Sequence, residues 1–94
     1  MGTASFIVEG LGNPESFTSC SHGAGRQMGR NEARRVLSLA QEQQKMAGII
    51  HCLQTVRDLD EAPGAYKDIA EVMQQQKDLV KIKVRLFPLA VIKV

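Results

Sequence analysis

Apolar and polar positions alternate most clearly near the C-terminus, where Val80, Ile82, Val84 and Leu86 interleave with Lys81, Lys83 and Arg85. A period of two reads as an amphipathic strand, interrupted by Pro88 before a further apolar run, Leu89-Ala90-Val91-Ile92. Ala4 to Glu9 also reads as a strand, stopped by the Gly10-Leu11-Gly12-Asn13-Pro14 loop, and Glu15 to Ser21 suits a short edge strand. Asn31 to Leu37 suits a short helix with Asn31 as N-cap, and Ser38 to Met46 a second, ended by Gly48. Ile49 to Leu53 reads as a short apolar strand. Asp58 to Tyr66, with Pro63-Gly64, reads as a turn or loop. Ile69, Val72 and Met73 fall at helical spacing and predict a helix from about Tyr66 to Gln76. The fold class is α+β: a short mixed or antiparallel sheet with two to three helices.

The 94 residues allow one domain, 1–94, and 44% hydrophobic with 23% charged residues is ordinary globular composition. No apolar run reaches the roughly 18 residues of a membrane helix, so no membrane partner is expected. The N-terminus lacks a basic stretch ahead of an apolar one, and Cys20 and Cys52 are too few for a disulfide scaffold; a cytoplasmic location is the expectation. Tyr66 and three phenylalanines are the only aromatics, which argues against a stacking platform for single-stranded nucleic acid. Net charge is only +2, but it is unevenly spread: +3 over His22–Arg35, −4 over Asp58–Asp78 and +4 over Leu79–Val94. An acidic belt between two basic segments can close the chain on itself or leave a local anion site.

The segment His22-Gly23-Ala24-Gly25-Arg26 carries the strongest chemical signal. Neutral imidazole is a competent nucleophile toward phosphorus and leaves well once protonated. The glycines let backbone N–H groups approach phosphate oxygens, and a helix end behind them favours an anion. Arg26 and Arg30, four apart, share a face on a helical turn and suit a phosphate clamp. On these residues alone, a loop histidine beside a glycine turn with solvated arginines is the commoner arrangement and the favoured reading. A metal site from His22, His51, Cys20 and Cys52 is the weaker reading. His51 and Cys52, adjacent in a strand, point to opposite faces, and no Cys-x-x-Cys or His-x-x-x-His spacing occurs.

The strings MGTASFIVEG, SFTSCSHGAGRQMGRNEARR, DEAPGAYKDIAEVM and PLAVIKV, in this order and spacing, resemble the C-terminal part of the RtcB-type tRNA-splicing RNA ligases. The resemblance runs from Met1 to Val94. It implies a GTP- and manganese-dependent ligase that joins an RNA 3′-phosphate or 2′,3′-cyclic phosphate end to a 5′-hydroxyl end. By the same resemblance His22 corresponds to the histidine that takes GMP from GTP. Gly23, Ala24 and Gly25 bring backbone to the nucleotide, Met1, Ser5, Tyr66 and Lys93 match positions that hold GMP, and Arg26 and Arg30 suit RNA or phosphate oxygens. The implied partners are RNA ends, such as tRNA halves or broken RNA.

The family's manganese ligands lie in its larger N-terminal portion, so this chain is expected to hold no metal and to be inactive alone. Met1 falls inside the family's Gly-Ser-Met-Gly-Thr stretch. Gly29 stands where the family usually has Ser, and Val94 where it usually ends in Gly. Two roles follow: a ligase fragment working with an N-terminal ligase fragment, or a non-catalytic remnant that oligomerises and at most binds nucleotide or phosphate. Strands without partners expose edges and apolar faces, so self-association to at least a dimer is expected.

Overall fold

A computed structural model describes residues 1–93; Val94, singled out above for its side chain beyond Lys93, lies outside the described residues. Two strands, β1 (Ser5–Gly10) and β2 (Val80–Leu86), pair antiparallel from Ser5↔Leu86 to Gly10↔Val80. The three helices are α1 (Arg30–Val36), α2 (Leu39–Lys45) and α3 (Ile69–Gln75). The α+β expectation is met, with an antiparallel sheet.

Both strands form where the sequence places them, β2 on its alternation and β1 just ahead of the glycine- and proline-bearing loop. The register slips between Ile7 and Val8, whose partners are Val84 and Ile82, leaving Lys83 unpaired. Because directly opposed residues share a face, Ile7 lies with Val84 and Val8 with Ile82, and as neighbours on β1 Ile7 and Val8 put the two pairs on opposite faces of the sheet. Ser38 caps α2 by accepting from the Gln41 amide, and beyond its end Gly48 adopts φ +81°, a backbone that favours glycine.

Five expectations are corrected. Glu15–Ser21 is no edge strand: Asn13 Oδ1 accepts from the Glu15 amide and opens a 3-10 turn, Pro14–Ser16. Phe17 and Thr18 then follow in the left-handed region, which a strand excludes. Ile49–Leu53 makes only one parallel bridge, Ile50↔Ala90, because the His51 ring accepts from the Leu53 amide and bends the segment. Asn31 lies inside α1 and accepts from Arg34; Gly29 holds the cap position without a side-chain bond. Finally, α3 starts at Ile69, capped by Asp68, because Tyr66 and Lys67 are drawn into an extended bridge with the Arg26 segment. The expected loop over 58–66 is instead two 3-10 helices, Val56–Glu61 and Pro63–Ala65. Asp58 caps the first through the Thr55 and Gln54 amides, and those bonds hold its carboxyl below the usual range.

The core lies at the helical end of the molecule. Met46, Leu53, Leu59 and Ala62 are fully buried, with Met1, Leu37, Leu39, Ile49 and Val91 packed around them. Glu42 is also buried, donated to by the Gly64 amide (2.6 Å) and paired with Lys45 (2.8 Å), so its charge has partners. The sheet lies outside this core: only Val80 among its residues is buried, and Ile7 stays 53% exposed. The Cα radius of gyration, 14.9 Å, exceeds the roughly 12–13 Å of a compact chain of this length.

Two acids of the first 3-10 helix anchor α1. Arg30 donates to Asp60 (2.8 Å) and Glu61 (2.7 Å), and Arg34 pairs with Asp60 (3.2 Å). The Tyr66 phenol and Arg30 bring the Glu61 carboxyl down from 4.5 to about 2. A carboxyl depressed on folding stabilises the folded state fully above its unfolded pKa, and that contribution fades as pH falls through the folded value. Unfolding measured across pH is therefore expected to show stability falling between pH 4.5 and about 2. Glu61→Gln should flatten this acid limb and cost about 1–2 kcal/mol at neutral pH.

Candidate functional site

A cleft of about 460 Å³ opens between the start of β1, the Cys20–Ala24 loop and the flank of α3. Its wall brings together Met1, Ser5, His22, Gly23, Ala24 and Tyr66, six of the residues singled out from sequence. They come from three separated stretches of chain. The loop carrying His22 is tied down by the Ser21 amide, which donates to Gln76 Oε1 (3.0 Å) at the end of α3. His22 itself is exposed at the cleft, so its ring is open to a ligand. An imidazole presented this way can act as a nucleophile or a proton carrier.

The second wall depends on a two-residue antiparallel bridge. The Lys67 amide donates to the Gly25 carbonyl (2.9 Å) and the Gln27 amide to the Ala65 carbonyl (3.0 Å). Gly25 takes φ +81° here, so glycine is required by conformation. The bridge lays the Arg26 guanidinium over the Tyr66 ring, 5.1 Å from its centroid. Arg26 Nη1 donates to the Tyr66 hydroxyl (3.3 Å) and Nε to the Met28 carbonyl (3.1 Å), while Nη2 is buried without a protein partner. A buried, unpaired guanidinium nitrogen fits an anionic group supplied from outside the protein.

Tyr66 OH donates in turn to Glu61, the carboxylate that also binds Arg30. Burial, and then Glu61, push the phenol above its ordinary range. Lys93 Nζ lies 3.6 Å from the same Glu61 carboxylate. The Met1 amino group is pushed down by burial and by the Lys93 charge, with Glu61 opposing, so Met1 and Lys93 both feel this acid.

The helical clamp of Arg26 and Arg30 does not form. Arg26 is in the extended bridge, α1 begins only at Arg30, and Arg30 is held by Asp60 and Glu61, which raise its pKa. For the same reason the N-terminus of α1 does not follow directly on the His22 loop: α1 begins only at Arg30. Lys67, exposed and lining the cleft, and Glu61 were not singled out as site residues from sequence. Their signal was present in the Asp60-Glu61-Ala62-Pro63-Gly64-Ala65-Tyr66-Lys67 string. Among the described residues no three His, Cys, Asp or Glu side chains converge as metal ligands do. No helix among them is long and apolar enough to cross a membrane.

The family model for tRNA-splicing ligase RtcB matches residues 1–94. The chain is 50% identical over 82 residues to the RNA-splicing ligase RtcB of Escherichia coli K12, covering 87% of this chain and 20% of that protein. It is 40% identical over 102 residues to the tRNA-splicing ligase RtcB of Nanoarchaeum equitans, covering 99% of this chain and 21% of that protein. It is likewise 40% identical over 99 residues to the RNA-splicing ligase RtcB of Mycobacterium tuberculosis, covering 99% and 23%. The chain thus spans about a fifth of the length of these relatives. With the match running from end to end, the chain belongs to the RtcB family of tRNA-splicing ligases.

Proposed function

We propose that this chain supplies the guanylate-accepting part of an RNA ligase that joins RNA 3′-phosphate and 5′-hydroxyl ends, and that it acts together with a larger N-terminal ligase portion. The observation that carries this reading is the convergence of His22, Gly23, Ala24, Ser5, Met1 and Tyr66 on one cleft from distant stretches of sequence. The unpaired Arg26 Nη2 beside Tyr66 and the exposed Lys67 add positive charge suited to a nucleotide phosphate.

In this reading the neutral imidazole of His22 attacks the α-phosphorus of GTP. A P–N bond forms, the bond from that phosphorus to the bridging oxygen breaks, pyrophosphate departs, and the ring proton passes to solvent. The GMP group then moves to the RNA 3′-phosphate, freeing His22. The 5′-hydroxyl attacks that activated phosphate and releases GMP. Gly23 and Ala24 keep the approach to His22 unobstructed, Tyr66 offers its ring, and Arg26 and Lys93 offset phosphate charge. Manganese neutralises triphosphate charge in such chemistry. No three donors converge on one point among the described residues of this chain, so the proposal assigns its ligands to the remaining length of an RtcB-type polypeptide.

The exposed sheet supports a second reading, in which the chain folds and self-associates without catalysis. Ile7 and Val84 on one face of the sheet and Val8 and Ile82 on the other are all more than a third exposed, and Phe87, Leu89 and Ile92 are exposed as well. Either a larger ligase portion or a second copy removes this area from water.

Intact mass under denaturing conditions, after incubation with GTP and manganese, tests the first reading. A GMP adduct is expected only when the N-terminal portion of a relative is added, and it should vanish in His22→Ala. No adduct in either condition, or one that survives His22→Ala, overturns it. Arg26→Ala and Lys93→Ala are each expected to weaken GMP or RNA binding about tenfold with far-UV circular dichroism unchanged. Unchanged affinity in both would show that neither cation serves the ligand. Light scattering of the chain alone should report at least a dimer, and a clean monomer at high concentration would count against self-association.

A further inference from the structure

Glu61 accepts from Tyr66, a residue of the cleft wall, and its one carboxylate meets three groups that the resemblance assigns to nucleotide or phosphate. Oε2 accepts the Tyr66 phenol proton and lies 3.6 Å from Lys93 Nζ; Oε1 accepts from Arg30 Nη1 at 2.7 Å. We infer that Glu61 is a positioning residue for guanine-nucleotide binding: it fixes the Tyr66 phenol and the Arg30 guanidinium and holds the Lys93 ammonium nearby. The inference rests on the reading under Proposed function, since it names a support for that same site.

The three contacts are unequal, and the inequality assigns the roles. Tyr66 OH donates to Glu61 and accepts from Arg26 Nη1, so its only donor is committed and the ring cannot swing without breaking both bonds. Arg30 Nη1 is shared between Glu61 and Asp60, so Arg30 supports the carboxylate and is not free for phosphate. Lys93 makes the loosest contact, a charge pair beyond hydrogen-bond distance, and an incoming phosphate can draw its flexible ammonium away. Glu61 thereby locks the aromatic contact and keeps the mobile cation beside it. Asp60 is the internal comparison: it binds Arg30 and Arg34 and anchors α1 as Glu61 does, but makes no hydrogen bond to Tyr66.

Tyr66 is the only tyrosine and the chain has no tryptophan, so tyrosinate absorbance and tyrosine fluorescence report this one contact. The experiment measures Tyr66 titration and calorimetric GMP affinity in the wild type, Glu61→Gln and Asp60→Asn, with the N-terminal portion of a relative present for the affinity arm. Removing the carboxylate is expected to lower the Tyr66 titration, because the bond and charge that favour the protonated phenol are gone. GMP affinity should fall about tenfold in Glu61→Gln. Asp60→Asn should move neither. If Glu61→Gln does not fold, Glu61→Asp, one methylene shorter, takes its place with the same two shifts expected.

An unmoved titration in the Glu61 variant overturns the contact itself. A moved titration with unchanged GMP affinity overturns the positioning role while leaving the nucleotide reading standing. Equal loss of affinity in Asp60→Asn shows that Glu61 merely anchors α1 and overturns the role as well. A wild type that binds no GMP removes the reading under Proposed function and the positioning role with it, whatever Tyr66 does.

Discussion

One acid joins what would otherwise be separate pieces of this chain. Glu61 ends a 3-10 helix, receives the start of α1 through Arg30, receives the cleft through Tyr66, and stands beside Lys93 near the C-terminus. A half-buried carboxylate is tolerated only when its oxygens are satisfied, and here both are. Its depressed pKa expresses the same arrangement, since protonating this group gives up the hydrogen bonds from Tyr66 and Arg30. The acidic belt and the two basic segments seen in the charge pattern therefore close on each other in part. Arg30 and Arg34 from the first basic segment meet Asp60 and Glu61, and Lys93 from the second reaches Glu61.

That closure occupies only some of the cations, and the contrast between two of the arginines is informative. Arg30 is occupied by carboxylates, whereas Arg26 stacks on Tyr66 with one nitrogen unpaired. Two arginines of similar sequence context thus have different chemistry. The difference comes from the bridge between the Gly25–Gln27 and Ala65–Lys67 segments, which pulls Arg26 out of the helical register. The same bridge delays α3 and turns Tyr66 toward the cleft.

Packing divides the molecule unevenly. The helical end buries Met46, Leu53, Leu59 and Ala62, while the two-stranded sheet projects with apolar side chains on view. An isolated pair of strands is marginal in water and normally needs a further strand or a covering layer. The chain spans about a fifth of the length of the curated relatives it matches, and its sheet keeps apolar side chains exposed.

The local signals determined much by themselves. Period-two alternation located β2, an apolar run stopped by a Gly/Pro loop located β1, Ser38 and Gly48 bounded α2, and the ordered strings around His22, Tyr66 and Lys93 were enough to indicate the family. These features depend on neighbouring residues or on motif order, which a linear reading contains. Tertiary structure decided the rest. Ile49–Leu53 and Glu15–Ser21 have strand-like composition, but a strand needs a ladder, and the His51 ring and the Asn13 turn redirect the backbone before one extends. The Arg26–Arg30 clamp followed from an assumed helix that the Tyr66 bridge displaces. The part played by Glu61 was invisible for a related reason: an acid's role depends on which donors fold against it, and three of its neighbours come from positions 30, 66 and 93.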